Sequence, residues 1–302
     1  MTAKEAVGAR EQRLALPFGR GHIAVRSWHG DAAGTPVIAV HGWMDNAATF
    51  DLLAPLLPGH PLHAMDLPGH GFSDPRPAGM RYHNADFLDD VLAVMDRLCP
   101  QRPVILLGHS LGAGLLLMLA GIMPERVERL VLIEGLGPLT ADPAQYAAMT
   151  RSSLESYRDF RSERRTIASE AAAVQARMNG LTGPLGEEAA RLLCSRSLET
   201  TEAGELVWRT DKRLRQNSLM RFSEAQVLSC IAAITAPTLL IRGDQGAPFP
   251  AEAYQARMAG FADLRLVTLP GGHHLHLEGS PEAVAASIRE FLAAQGPCHA
   301  PD

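Results

Sequence analysis

The chain has 302 residues, 46% of them hydrophobic and 20% charged, with a formal net charge of −5. That length and composition suit one α/β domain with an insertion and a sizeable core, and the mild acidity excludes an electrostatically driven nucleic-acid partner. The densest basic run, Arg158, Arg161, Arg164 and Arg165, is interleaved with Asp159 and Glu163. It reads as a solvated helix face rather than a polyanion site.

The N-terminal MTAKEAVGAREQR is polar and lacks the apolar centre of a signal peptide. Arg13 to Pro17 and His22 to Trp28 are strand-like, and Phe18-Gly19-Arg20-Gly21 between them suggests a hairpin. Pro36 to Val40 is an apolar strand that ends in His41-Gly42-Trp43-Met44-Asp45-Asn46; a helix over Ala47 to Leu57 is predicted next. Leu62 to Met65 is a further strand, closing on the glycine-rich turn Asp66-Leu67-Pro68-Gly69-His70-Gly71. Tyr82 to Leu98 has helical spacing, with Phe87, Val91, Val94, Met95 and Leu98 on one face.

Pro103 to Met123, PVILLGHSLGAGLLLMLAGIM, holds the most informative pattern. Val104 to Leu107 suits a strand buried on both faces, and an apolar helix is expected after Gly108-His109-Ser110-Leu111-Gly112. A strand, a sharp turn and a helix with serine at the tip is the arrangement that raises a hydroxyl above a sheet edge. Val127 to Ile133 is the next buried strand and ends in Glu134-Gly135-Leu136-Gly137-Pro138. Residues 139 to 226 show helical stretches and no strand pattern. Strands resume at Thr238 to Ile241, followed by Arg242-Gly243-Asp244-Gln245-Gly246, and at Leu264 to Leu269, followed by Pro270-Gly271-Gly272-His273. An amphipathic helix over Ser280 to Ala294 closes the chain.

The alternation predicts a mostly parallel sheet with helices on both faces, and a helical cap inserted into it. The expected division is a first core part at 1–138, the cap at 139–226 and a second core part at 227–302. No apolar run reaches the ~18 residues of a membrane span. Cys99, Cys194, Cys230 and Cys298 are scattered without metal-ligand spacing. A reduced, cytoplasmic protein with no membrane partner is the expectation, and oligomeric state is left open.

A serine hydroxyl becomes a nucleophile when a base takes its proton, and a carboxylate orients that base. For Ser110 the candidate base is His273, on the turn after the last strand; His274 and His276 are its neighbours and competitors. Two carboxylates follow strands on Gly-flanked turns in the order Ser, acid, His: Glu134 and Asp244. The backbone N–H groups of Leu111 and Trp43 are the candidate oxyanion donors, and the Trp43 ring either walls an acyl pocket or packs beneath the cap.

Together His41-Gly42-Trp43, Asp66 to Gly71, Gly108 to Gly112 and Gly272-His273-His274-Leu275-His276-Leu277-Glu278 resemble the α/β-hydrolase fold with a helical cap. His41 to Phe50 and Trp208-Arg209-Thr210-Asp211 are similar to the serine hydrolase-like protein group. One departure stands out. Many members of the family carry an aspartate three residues after the glycine of the seventh strand, where this chain has Gly246. Others, some haloalkane dehalogenases among them, place the acid just after the sixth strand, and the resemblance to these favours Glu134 over Asp244.

Serine at position 110 argues against the dehalogenases and epoxide hydrolases of this fold, which use an aspartate nucleophile. The resemblance implies a serine hydrolase acting on a small-molecule carboxylic ester through an acyl-enzyme, with no metal or organic cofactor. Thioester, lactone or carbon–carbon bond hydrolysis and perhydrolysis use the same triad. A non-catalytic ligand-binding relative is the alternative of another class.

Overall fold

The computed structural model describes residues 8–158, 160, 164–180, 183–246 and 251–294. Cys298, Asp159, Arg161 and Glu163 lie outside them; Cys99, Cys194 and Cys230 are unpaired thiols.

β1 (Arg10–Ala15) and β2 (His22–Trp28) form the expected antiparallel hairpin. β3 (Val37–Val40) and β4 (Leu62–Met65) come next, then α1 (Asn84–Leu98) and β5 (Val104–His109). α2 (Leu111–Ile122) leads to β6 (Val127–Ile133). The insertion then contributes α3 (Tyr146–Arg158), α4 (Glu170–Met178), α5 (Glu187–Ser197), β7 (Leu198–Thr200), β8 (Leu206–Trp208) and α6 (Glu224–Ala233). β9 (Thr238–Gly243), α7 (Ala251–Ala259), β10 (Leu264–Leu269) and α8 (Pro281–Ala293) complete the chain. The eight-stranded sheet has the order β1-β2-β4-β3-β5-β6-β9-β10 and is parallel from β4 to β10.

The apolar runs divide between the two faces by strand alternation. Ile38, Val40, Leu106, Leu130, Leu132 and Leu240 pack with α1, α2 and α6, while Val37, Ala39, Ile105, Leu107, Val131, Ile133, Leu239 and Ile241 pack with α8. Covered on both faces, these strands have no need of a polar side, which is why they read as continuous hydrophobic runs. A third, smaller core joins α4 and α5 to Leu277, in the segment that carries His273. No helix among the described residues is long and apolar enough to cross a membrane.

Three local features depart from expectation. Ala47 to Leu57 is not one helix but two 3-10 turns, Ala47–Phe50 and Ala54–Leu56, because Pro55 has no N–H to continue a helix and disfavours helical backbone before it. The insertion contains a two-stranded hairpin, β7 with β8; at three residues each, the strands are too short to show a period. Residue 226 lies within α6, whose Val227 and Ile231 belong to the main core beside α2.

Candidate active site

Ser110 sits between β5 and α2 at φ 51° and ψ −112°, a conformation that L-residues rarely adopt. Its N–H donates to Ile133 O at 2.9 Å, and the next turn is tied by Gly112 N–H to His41 O at 3.1 Å. The flanking glycines are required by close approach. A Cβ on Gly108 would lie 2.5 Å from the Ala113 backbone, and one on Gly112 would lie 2.1 Å from Val40 O. Leu111 is the first residue of α2, so its N–H has no acceptor within the helix and carries the positive end of the helix dipole.

Glu134 leaves β6 with φ 52°, also left-handed, and its N–H donates to Ile241 O at 2.9 Å. Its side chain is 2% exposed. Oε1 accepts the Gly243 N–H at 2.7 Å, and Oε2 lies 3.3 Å from His273 Nδ1. A carboxylate only accepts, so the proton of this bond is on Nδ1, leaving Nε2 of the neutral ring as the basic nitrogen. His273 is 20% exposed and lies beside the serine turn, since its carbonyl accepts from His109 Nε2–H at 2.9 Å. Gly246 explains the missing aspartate. A Cβ there would fall 2.3 Å from Glu134 Oε1 and 2.4 Å from Oε2, so the carboxylate fills the space a side chain would take. Asp244 is exposed; its Oδ1 accepts the Gly271 N–H at 2.9 Å, supporting the turn before His273.

Trp43 lies in the turn closed by Asp45 N–H to Gly42 O at 3.1 Å, beside Met44 at φ 65°. Its indole N–H donates to Leu214 O at 3.1 Å, which docks the ring against the insertion. Among the described residues, three of the six non-glycine residues at positive φ, Met44, Ser110 and Glu134, thus fall in the turns around His273. Strain gathered in this way is held by surrounding structure and marks functional turns.

Sequence reasoning left Asp45 and His109 without roles. Both are buried, as are His274 and His276. Asp45 Oδ2 lies 3.1 Å from His274 Nε2 and 3.4 Å from His109 Nδ1, and Oδ1 pairs with Arg177 of α4. His276 Nε2 lies 2.9 Å from Thr49 Oγ1. Burial would push the Asp45 carboxyl up, but His274 and Arg177 hold it well below the usual range. Burial, reinforced by the neighbouring histidines, pushes His109 down to about 4, so it is neutral at pH 7. The available signal was adjacency: Asp45, His109 and His274 each stand within two residues of a predicted site residue.

Asp45, His109 and His274 offer ligand atoms within 4.8 Å of one another. A metal ion there would face the Arg177 guanidinium across the same carboxylate, so the cluster is better suited to hydrogen bonding than to a dication.

A family model described as alpha/beta hydrolase fold matches residues 35–280. The chain belongs to this family. Among its α/β-hydrolase relatives, a probable serine hydrolase of Drosophila melanogaster is 33% identical over 93% of this chain and 87% of its own length. Serine hydrolase-like protein 2 of Homo sapiens is 31% identical over 93% of each chain, which places the protein with the serine hydrolase-like group. The crystal structure of a hypothetical protein from Pseudomonas aeruginosa PAO1 has a TM-score of 0.83, with 39% identity over 94% of this chain and 98% of that one.

Proposed function

We propose that this α/β-hydrolase cleaves carboxylic esters through an acyl-enzyme, with Ser110 as nucleophile, His273 as base and Glu134 as its orienting acid. The observation that carries the reading is the buried Glu134 carboxylate 3.3 Å from His273 Nδ1, on a histidine whose backbone is bonded to the residue preceding Ser110. Nε2 then takes the serine proton during attack on the ester carbonyl and returns it to the departing alcohol oxygen. In this reading the Leu111 and Trp43 N–H groups receive the oxyanion, and preorganised donors of this kind are worth about 3 kcal/mol each. Water then repeats the sequence on the acyl-enzyme, releasing the acid and restoring Ser110.

The insertion between β6 and β9 serves as a cap, and its ties to the loops around Ser110 support this. Trp43 bonds to Leu214, Asn46 bonds to Leu193 O at 2.8 Å and Ser197 Oγ at 3.0 Å, and Gly186 N–H donates to Glu278 at 2.6 Å. A cap so anchored favours small or medium acyl groups.

The test is labelling with a fluorophosphonate probe, read by intact mass and peptide mapping, beside an ester and thioester substrate screen. Ser110 should label in the wild type and Ser110→Ala should not. A folded wild type that neither labels nor turns over any ester would overturn the reading. Turnover confined to thioesters would replace the substrate class and keep the triad.

A further inference from the structure

Resting on the hydrolase reading, we infer that Asp45 is a positioning residue that ties the insertion to the turns carrying Ser110, His273 and Trp43. Its carboxylate, 1% exposed, meets side chains from three other segments, and its backbone closes the turn of its own. Oδ2 accepts from His274 Nε2–H at 3.1 Å, one residue after His273. His109, one residue before Ser110, lies alongside with its unprotonated Nδ1 3.4 Å from the same oxygen and is not bonded to it. His109 in turn donates through Nε2 to the His273 carbonyl at 2.9 Å, so two neighbours of the proposed triad are braced against one another. Asp45 N–H closes the turn that presents Trp43, and Oδ1 holds Arg177 from α4 of the insertion.

None of these contacts touches an atom that would react, so Asp45 acts through others. It does so in a buried setting where a missing partner is not replaced by water, so a change at one contact is transmitted to the rest. Displacing a catalytic group by about 1 Å is enough to lower a rate by about 10²-fold, and this one residue holds the neighbour of the base, closes the turn of the oxyanion donor and reaches the serine turn through the His273 carbonyl that accepts from His109. Of the two side chains that donate to the carboxylate, His274 and Arg177, the arginine is the one that belongs to the insertion. Through it, the placement of α4 becomes a condition for the placement of the His273 turn.

The test is a double-mutant cycle on the full chain with Asp45→Asn, Arg177→Gln and the pair. The readouts are kcat and KM on an ester from the screen, the rate of fluorophosphonate labelling at Ser110, and amide hydrogen exchange over 41–46, 170–178 and 272–278. Each single change should lower kcat and labelling by about 10- to 100-fold with KM within about threefold, and Arg177→Gln should add less than about twofold once Asn stands at 45. Both single variants should exchange faster over 272–278. Additive effects would overturn the proposal, as would faster exchange confined to 170–178, which is what a purely structural role for Arg177 predicts. If Asp45→Asn fails to fold, Arg177→Gln alone decides by the same exchange pattern. If the wild type neither labels nor turns over, the hydrolase reading falls, and exchange over 272–278 still decides whether Asp45 couples these segments.

Discussion

Glu134 and Gly246 share one space. The carboxylate arrives from the end of β6 and occupies the space that a side chain after β9 would need, so neither position is free to change alone. Replacing Glu134 by Gln keeps the shape but leaves Nδ1 facing an amide that no longer enforces the productive tautomer, and kcat should fall by about 10³-fold or more. Asp244→Asn should stay within about threefold, since that carboxylate supports Gly271; the reverse ranking in steady-state kinetics would move the acid to Asp244. Gly246→Ala should lower kcat without altering Ser110 or His273, because the new methyl lies within 2.4 Å of both Glu134 oxygens. Wild-type activity in that variant would show that the carboxylate works from another position.

At the scale of elements, the candidate site is assembled by the turns at the C-terminal ends of the parallel strands. β3 supplies the Trp43 turn, β5 supplies Ser110, β6 supplies Glu134 and β10 supplies the His273 turn. Parallel register places these ends at one edge of the sheet, where the chain must turn away and leaves room for a ligand. The insertion is fastened there by buried ion pairs. Arg196 of α5, 2% exposed, binds Asp66 at 2.6 Å and Glu11 at 2.6 Å, with its guanidinium 4.3 Å from the Phe72 ring. Arg196→Met leaves the Asp66 charge buried without its cation and should lower stability by about 3–5 kcal/mol. A urea midpoint that moves by less than the equivalent of about 1 kcal/mol would mean that the insertion is held by its apolar core instead.

For the whole molecule, buried histidines set the response to acid. Burial holds His109 at about 4 and His70 at about 3, and lowers His41, His63 and His276 as well. Their folded values lie below the unfolded value near 6.5, so the stability they contribute is present above pH 6.5 and is lost as pH falls toward the folded values. Asp51 works in the opposite sense. Burial raises it to about 6, so its contribution is present in acid and lost as pH rises through 6. At pH 5 the loss from His70 and His109 is about 2 kcal/mol each, against about 1 kcal/mol regained at Asp51. The melting temperature should therefore drop between pH 7 and pH 5, above the range where carboxylates of ordinary pKa titrate. A flat profile over that range would show that these rings are protonated in the folded state.

Residue order alone determined the sheet class, the serine turn and the position of His273. Each rests on local physics: apolar runs that tolerate burial on both faces, glycines that a tight turn demands, and a histidine placed just past a strand. It also kept Glu134 in view beside Asp244. Tertiary structure decided the rest. Whether Ala47 to Leu57 continues as one helix depended on Pro55 against the pull of an amphipathic pattern. The β7–β8 hairpin depended on partners too short to show a period. Which carboxylate meets His273 did not follow sheet order: β9, the strand beside β10, carries Asp244, which accepts the Gly271 N–H instead, while Glu134 reaches His273 from the end of β6 through the space left at Gly246. The Asp45 cluster joins residues 45, 109, 177 and 274, and only the packed sheet with its insertion brings positions so far apart in the chain around one buried carboxylate.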